Sequence, residues 1–165
     1  MFTGKYFVEK LNMKEHPEGG YYNECLKSKD IIDAKAVDSS FDGNRKLWTS
    51  IYFLLKDRDV SRFHRLKSDE IWYYHSGVPM IIHIINKNGE LERVKLGLDI
   101  ERGEQPQVLI PKGTIFGAVM DGTGYSLAGC MVSPGFEFGD FELLEREDLL
   151  KEYPQHELII KRLTK

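Results

Sequence analysis

The residues best equipped for chemistry sit together between Ser61 and Gly77, where the chain reads SRFHRLKSDEIWYYHSG. Side chains alternate along a strand, so Glu70, Trp72 and Tyr74 share one face while Ile71, Tyr73 and His75 take the other. A face with a carboxylate, an indole and a phenol is a poor core but a good pocket wall, because small-molecule sites use aromatic walls with polar tips. The turn residues Lys67, Ser68 and Asp69 separate this strand from one carrying His64. A hairpin between the two would set His64 beside Glu70. Imidazole titrates near neutrality, and a carboxylate that orients it suits general acid–base work. The plainer alternative is a barrel-lining histidine that bonds Glu70 and binds nothing.

Other reactive side chains read more simply. His83 lies in an apolar strand and divides evenly between a pocket and a core position. His16 and His156 stand among charged residues and read as exposed, and His75 falls on the outer face. Cys25 and Cys130 are far apart, with no CxxC spacing, which favours two reduced and largely buried thiols. Lys87 and Lys112 read as ordinary solvated charges.

The elements that must position these groups are mostly short strands. Leu47–Leu55 is rich in β-branched and aromatic residues and reads as a buried strand. Tyr21–Leu26, Ser61–Leu66, Glu70–His75, Met80–Ile85, Leu91–Leu96, Gln107–Ile110, Phe116–Val119 and Tyr125–Val132 are further candidates. Turn signals separate nearly all of them, among them Asn86–Gly89, Pro111–Gly113 and Asp121–Gly124. Short strands at such spacing without intervening helices predict a sandwich or barrel. Thr3 is placed to cap a helix over Gly4–Leu11. His16-Pro17-Glu18-Gly19-Gly20 breaks any helix, since proline removes a donor and the glycines permit positive φ. Lys29–Lys46 reads as a long polar excursion. At the far end two short helices are expected, over Glu145–Tyr153 and after Pro154, the second with Leu158, Ile159 and Leu163 on one face.

The chain has 165 residues, which suits one domain over residues 1–165. Hydrophobic residues make up 41% and charged residues 30%, so composition points neither to disorder nor to a membrane protein. Twenty-three basic residues against 26 acidic ones leave a net charge of -3, which gives no strong pull toward nucleic acid or an anionic membrane. The first residues lack a basic region followed by an apolar core, so a cytoplasmic location is expected.

The Ser61–Gly77 run resembles the first motif of the cupin superfamily: a histidine pair one residue apart, a glutamate, six residues and a glycine. His64, Glu70 and Gly77 fit it. Pro111-Lys112-Gly113-Thr114-Ile115-Phe116 resembles the second motif except at its end, where the motif has histidine. The stretches HPEGGYY from His16, IYFLL from Ile51, SDEIW from Ser68, LGLD from Leu96 and SPGFEFGDF from Ser133 extend the likeness to one branch of the cupins over nearly the whole chain. The resemblance implies an all-β protein, a cupin-type double-stranded β-helix (jelly-roll barrel) with short terminal helices, and a homodimer. The apolar strand Leu47–Leu55 adds to the expectation of a dimer, as a sheet edge that needs cover. Leu66 and Phe116 occupy two motif positions where cupins carry metal-binding histidines. A three-histidine, one-glutamate set therefore keeps only His64 and Glu70, fewer than the three or four ligands a tight transition-metal site takes. The expectation is a site with no metal and no cofactor.

Three functions stay open for a barrel pocket that takes a small polar metabolite such as a sugar, a nucleotide-sugar or an organic acid. One is a metal-independent isomerase or epimerase, resembling cupin-fold sugar-nucleotide epimerases at the level of fold. His64 would be the base, oriented by Glu70, and Tyr74 the acid. Ser68, Trp72, His83, Gln107 and Phe116 would line the substrate. Another is a non-catalytic module in which Trp72 and Tyr74 stack on a ring while Glu70 and Gln107 bond its polar groups. The third is a metal-dependent enzyme with an atypical ligand set. The SPGFEFGDF run reads as structural, with Phe136, Phe138 and Phe141 covering the barrel near the C-terminal helices and Asp140 capping a turn.

Overall fold

A computed structural model describes residues 2–165. Its strands are β1 (Lys14–Glu15), β2 (Tyr21–Lys27), β3 (Ile31–Asp33), β4 (Asn44–Lys46), β5 (Thr49–Lys56), β6 (Val60–Leu66), β7 (Asp69–Gly77), β8 (Met80–Ile85), β9 (Leu91–Leu96), β10 (Glu104–Gln105), β11 (Gln107–Ile110), β12 (Ile115–Met120), β13 (Tyr125–Ser133) and β14 (Phe141–Leu143). The α-helices are α1 (Gly4–Lys10), α2 (Arg146–Glu152) and α3 (Glu157–Arg162). Two six-stranded sheets face each other, in the orders β1-β2-β5-β13-β7-β11 and β10-β9-β8-β12-β6-β14. This is the jelly roll that the cupin resemblance implies, within the sandwich-or-barrel class that the turn spacing predicts. The pairing is antiparallel except for the two-residue β9–β10 ladder, which is parallel. The polar excursion before Leu47 contains the small β3–β4 hairpin.

Alternation decides what each strand buries. Phe53 and Leu55 of β5, Trp72 of β7, Ile82 and Ile84 of β8, Phe116 and Ala118 of β12, and Cys130 of β13 point between the sheets and form the main core. The opposite face of the second sheet offers Phe63, Ile85, Ile115 and Val119 to Leu149, Ile159, Ile160 and Leu163 of the C-terminal segment. Ile160 takes the place expected of Leu158, which is 90% exposed. At the other end of the chain α1 starts at Thr3, whose hydroxyl accepts the Tyr6 N–H. Phe7, Val8 and Leu11 then pack over Leu54 and Leu127 on the outer face of the first sheet.

Two expected contacts do not form. The two strands of the Ser61–Gly77 run make no hairpin: β6 pairs with β12 and β14 in one sheet, β7 with β13 and β11 in the other. His64 and Glu70 therefore approach each other from opposite walls of the barrel. Asp140 caps nothing; it receives the Arg45 guanidinium through two bonds, Nε at 2.6 Å and Nη2 at 2.9 Å. No helix among the described residues is long and apolar enough to cross a membrane.

Candidate functional site

Between the sheets, at one end of the barrel, lies a cavity of about 450 Å³. His64, Glu70 and Trp72 line it, together with His16, Glu18, Cys130 and an aromatic rim of Phe136, Phe138 and Phe141.

Its polar centre is Glu18. The turn between β1 and β2 delivers it, closed by the bond from His16 N–H to the Gly20 carbonyl. Gly19 has a φ of 110°, and a Cβ there would lie 2.2 Å from the Val60 carbonyl oxygen, so only glycine permits this close approach. The Arg62 N–H anchors the Glu18 carbonyl at 2.8 Å and Ser61 Oγ donates to Glu18 Oε1 at 2.7 Å. The other oxygen, Oε2, lies 3.3 Å from both His16 Nδ1 and His64 Nε2.

The tautomers follow from the remaining bonds. His64 Nδ1 sits 2.6 Å from the Arg62 carbonyl, which can only accept, so Nδ1 carries the hydrogen and Nε2 presents its lone pair to Glu18. His16 Nδ1 accepts the Glu18 backbone N–H at 3.3 Å, which occupies its lone pair. The His64 lone pair is left to meet Oε2, a contact that is bonded only when that oxygen holds a proton. Burial favours this state: it raises the Glu18 carboxyl and brings His64 down to about 4. His16 is lowered as well, chiefly by burial and against the pull of Glu18.

Glu70 is a second neutral acid. Burial pushes it up to about 8, and Glu18, once ionised, acts in the same direction. Its Oε2 is buried without a hydrogen-bond partner, as is the Trp72 indole nitrogen. The Cys130 thiol beside it is raised by burial and by both carboxylates.

The other sequence candidates lie elsewhere. Tyr74 faces inward but packs against the main core beyond the cavity, with its hydroxyl donating to the Gly77 carbonyl. Four residues along a strand carry it roughly 13 Å from Glu70. Gln107 is exposed because its partner across the ladder is Tyr73, an outward residue; Val108 opposite Trp72 faces in. His83 alternates with the core residues Ile82 and Ile84 and so turns toward the C-terminal segment. Ser68 is buried and holds the Pro134 carbonyl at 2.7 Å, which makes it a support for the rim loop. Phe116 does not open onto the cavity, but its ring packs 4.1 Å from that of His64 and fixes it from behind. His16, expected to be exposed, has a side chain only 6% exposed. It and Glu18 are the site residues that alternation missed, since they sit in a loop. The signal available was a histidine and a glutamate two apart, just before paired glycines. The phenylalanines of the SPGFEFGDF run, read as structural, form the cavity mouth.

Over residues 5–144 the chain matches the family model described as Cupin superfamily (DUF985). The chain belongs to that family. It is 47% identical to protein SO0799 from Shewanella oneidensis, whose solved structure it covers to 99% with a TM-score of 0.91 over 100% of this chain. It is 38% identical to a hypothetical protein from Leishmania major, with a TM-score of 0.89 and 99% of each chain covered. The uncharacterized protein YML079W of Saccharomyces cerevisiae is 27% identical over 87% of this chain and 76% of its own length. Oxalate decarboxylase from Bacillus subtilis shares the fold at 15% identity and a TM-score of 0.56, with 98% of this chain covering 38% of that one.

The Bacillus enzyme has Mn(II) centres. The donors here do not fit a metal. His64 spends Nδ1 on a carbonyl and aims Nε2 at Glu18, the Phe116 ring is packed against it, and Leu66 lines the cavity as hydrocarbon. Among the described residues no group of three or more His, Cys, Asp and Glu is arranged to hold a metal ion.

Proposed function

We propose that the cavity binds a small polar metabolite and moves a proton on it without a metal, as an isomerase or epimerase does. The observation that carries this reading is the buried Glu18–His64 pair: Glu18 Oε2 stands 3.3 Å from His64 Nε2, and the other ring nitrogen is held by the Arg62 carbonyl. Burial raises the Glu18 carboxyl, so its ionised form is a strong base: Oε2 takes the substrate's proton and shares it with the His64 lone pair, one carbon–hydrogen bond breaking as one oxygen–hydrogen bond forms. Glu70, on the opposite sheet and protonated near neutrality, supplies a donor for an oxygen that gains charge as the carbon–hydrogen bond breaks. Titratable groups whose surroundings set them apart are the usual basis for assigning such roles. Glu18 is the base, and His64, expected to be the base itself, positions it and receives its proton. The acid is Glu70 and not Tyr74, whose hydroxyl is engaged with Gly77. The aromatic rim supports a substrate with an apolar or ring-shaped portion.

The test is exchange with solvent. The protein is incubated in heavy water with a panel of sugar nucleotides and 2-oxo acids, and deuterium incorporation at carbon is followed by NMR. Exchange with at least one class is expected. Glu18→Gln should lower its rate by about 100-fold or more, while Glu70→Gln should weaken both binding and rate with the protein still folded. Saturable binding with no exchange for any substrate would leave the cavity as a binding module and sink the catalytic reading.

A further inference from the structure

A second concave site lies on the other side of the second sheet, outside the barrel. It is a groove of about 570 Å³ between the β8–β9 ladder, β12 and the C-terminal segment. His83 forms its base. The residue is 5% exposed, and its Nδ1 is buried with no hydrogen-bond partner. Arg93 is directly across the β8–β9 ladder from His83, and the two side chains share a face. Arg162, from the last turn of α3, lines the groove from the other wall. Among the described residues neither guanidinium has a carboxylate within 4 Å, whereas Arg45, Arg65 and Arg102 each do. The one acid in the wall, Glu157, is bonded to Lys161. His156 spends its Nε2 on the Gly89 carbonyl. Ile81, Leu91 and Ile159 supply an apolar lining.

We propose that this groove is a binding site for a small organic carboxylate, held by Arg93 and Arg162 over His83 with its hydrocarbon portion on Ile81, Leu91 and Ile159. Two unpaired guanidiniums beside a neutral imidazole lack only an anion, and arginine holds a carboxylate by a planar fork of parallel bonds. The burial of His83 and the charges of Arg93 and Arg162 bring its imidazole down to about 4. An anion between the arginines cancels part of that field, so binding raises the affinity of His83 for a proton and tightens as pH falls.

Benzoate is the probe. The His83 ring resonances are followed by NMR at constant ionic strength during a titration of the full chain at pH 6. A saturable shift with a millimolar midpoint is expected. The Arg93→Gln, Arg162→Gln double variant should bind at least about tenfold more weakly with an unchanged thermal midpoint in the absence of benzoate, since both residues are exposed and unpaired. Glu70→Gln should leave the titration as it is, because its side chain lies in the barrel cavity. No saturable shift, an equal shift in the double variant, or loss of the shift in Glu70→Gln would each overturn the proposal.

Discussion

Glu70 and His64 titrate in opposite directions, and the sign of each fixes how stability depends on pH. The Glu70 pKa rises from an ordinary 4.5 to about 8, so between those values the folded chain binds the extra proton and stability falls as pH rises. His64 drops from 6.5 to about 4, so between those values the unfolded chain binds the extra proton and stability falls as pH falls. The two slopes oppose each other between about pH 4.5 and 6.5, where the lowered His83 and His16 add to the His64 sign and the raised Glu18 to that of Glu70; above that only the acidic residues act. Chemical denaturation should therefore show only a shallow slope near pH 5–6 and a decline toward pH 8–9. Glu70→Gln removes the ionising group and should be more stable than the parent at pH 8 by roughly 1–3 kcal/mol, with the gap closing toward pH 4.5. An equal gap at both ends would assign the effect to packing. At this scale the sequence was legible where alternation alone decides. Glu70 and Trp72 face the cavity as their spacing requires, but Gln107 is one register position off the inner face. His16 and Glu18 have no period to betray them.

The elements that shape the cavity mouth are loops tied down by buried polar groups. The segment from Pro134 to Asp140 is held by Ser68 at the Pro134 carbonyl and by Thr49 Oγ1, which accepts the Phe136 N–H. Arg45, at the end of the polar excursion, clamps its far end through Asp140, and both side chains are under 5% exposed. Removing one partner from such a pair strands a buried charge, whereas in the intact pair attraction and desolvation nearly offset. Asp140→Asn leaves Arg45 with Asp42 and the more distant Glu137. It should cost roughly 3 kcal/mol in urea unfolding and weaken ligand binding by loosening Phe138 and Phe141. A variant as stable as the parent would show that Asp42 alone suffices for Arg45. The boundaries of the longer strands were readable from turn residues and β-branched runs to within a residue or two, whereas the two- and three-residue strands β1, β3, β4, β10 and β14 are too short to show alternation. The Arg45–Asp140 clamp was not, because 95 positions separate its partners and, although Asp140 stands in the SPGFEFGDF run, nothing there points to Arg45.

At the scale of the molecule, the outer faces of the two sheets are treated differently. The C-terminal helices cover the second sheet, but α1 covers only the Leu54–Leu127 end of the first. On the rest of that face Leu26 and Leu109 are 62% and 55% exposed, and Ile71, Tyr73 and Met131 are half-buried beside them. The sequence suggested a homodimer in part because Leu47–Leu55 was expected to leave an open edge. That reason falls away, since β5 lies inside its sheet between β2 and β13, with β1 and β11 at the edges. The expectation now rests on the family resemblance and on this face, where contiguous apolar side chains remain in water. A second copy docked there would bury them and leave both barrel mouths free. Leu109 is the residue to probe, because it is exposed, sits on the edge strand β11 and packs into neither core cluster of its sheet. Light scattering at micromolar concentration should return twice the chain mass, and Leu109→Lys should return one chain with the fold intact by circular dichroism. A single-chain mass for the unsubstituted protein would refute the dimer, and a Leu109→Lys protein that still dimerises would move the interface elsewhere.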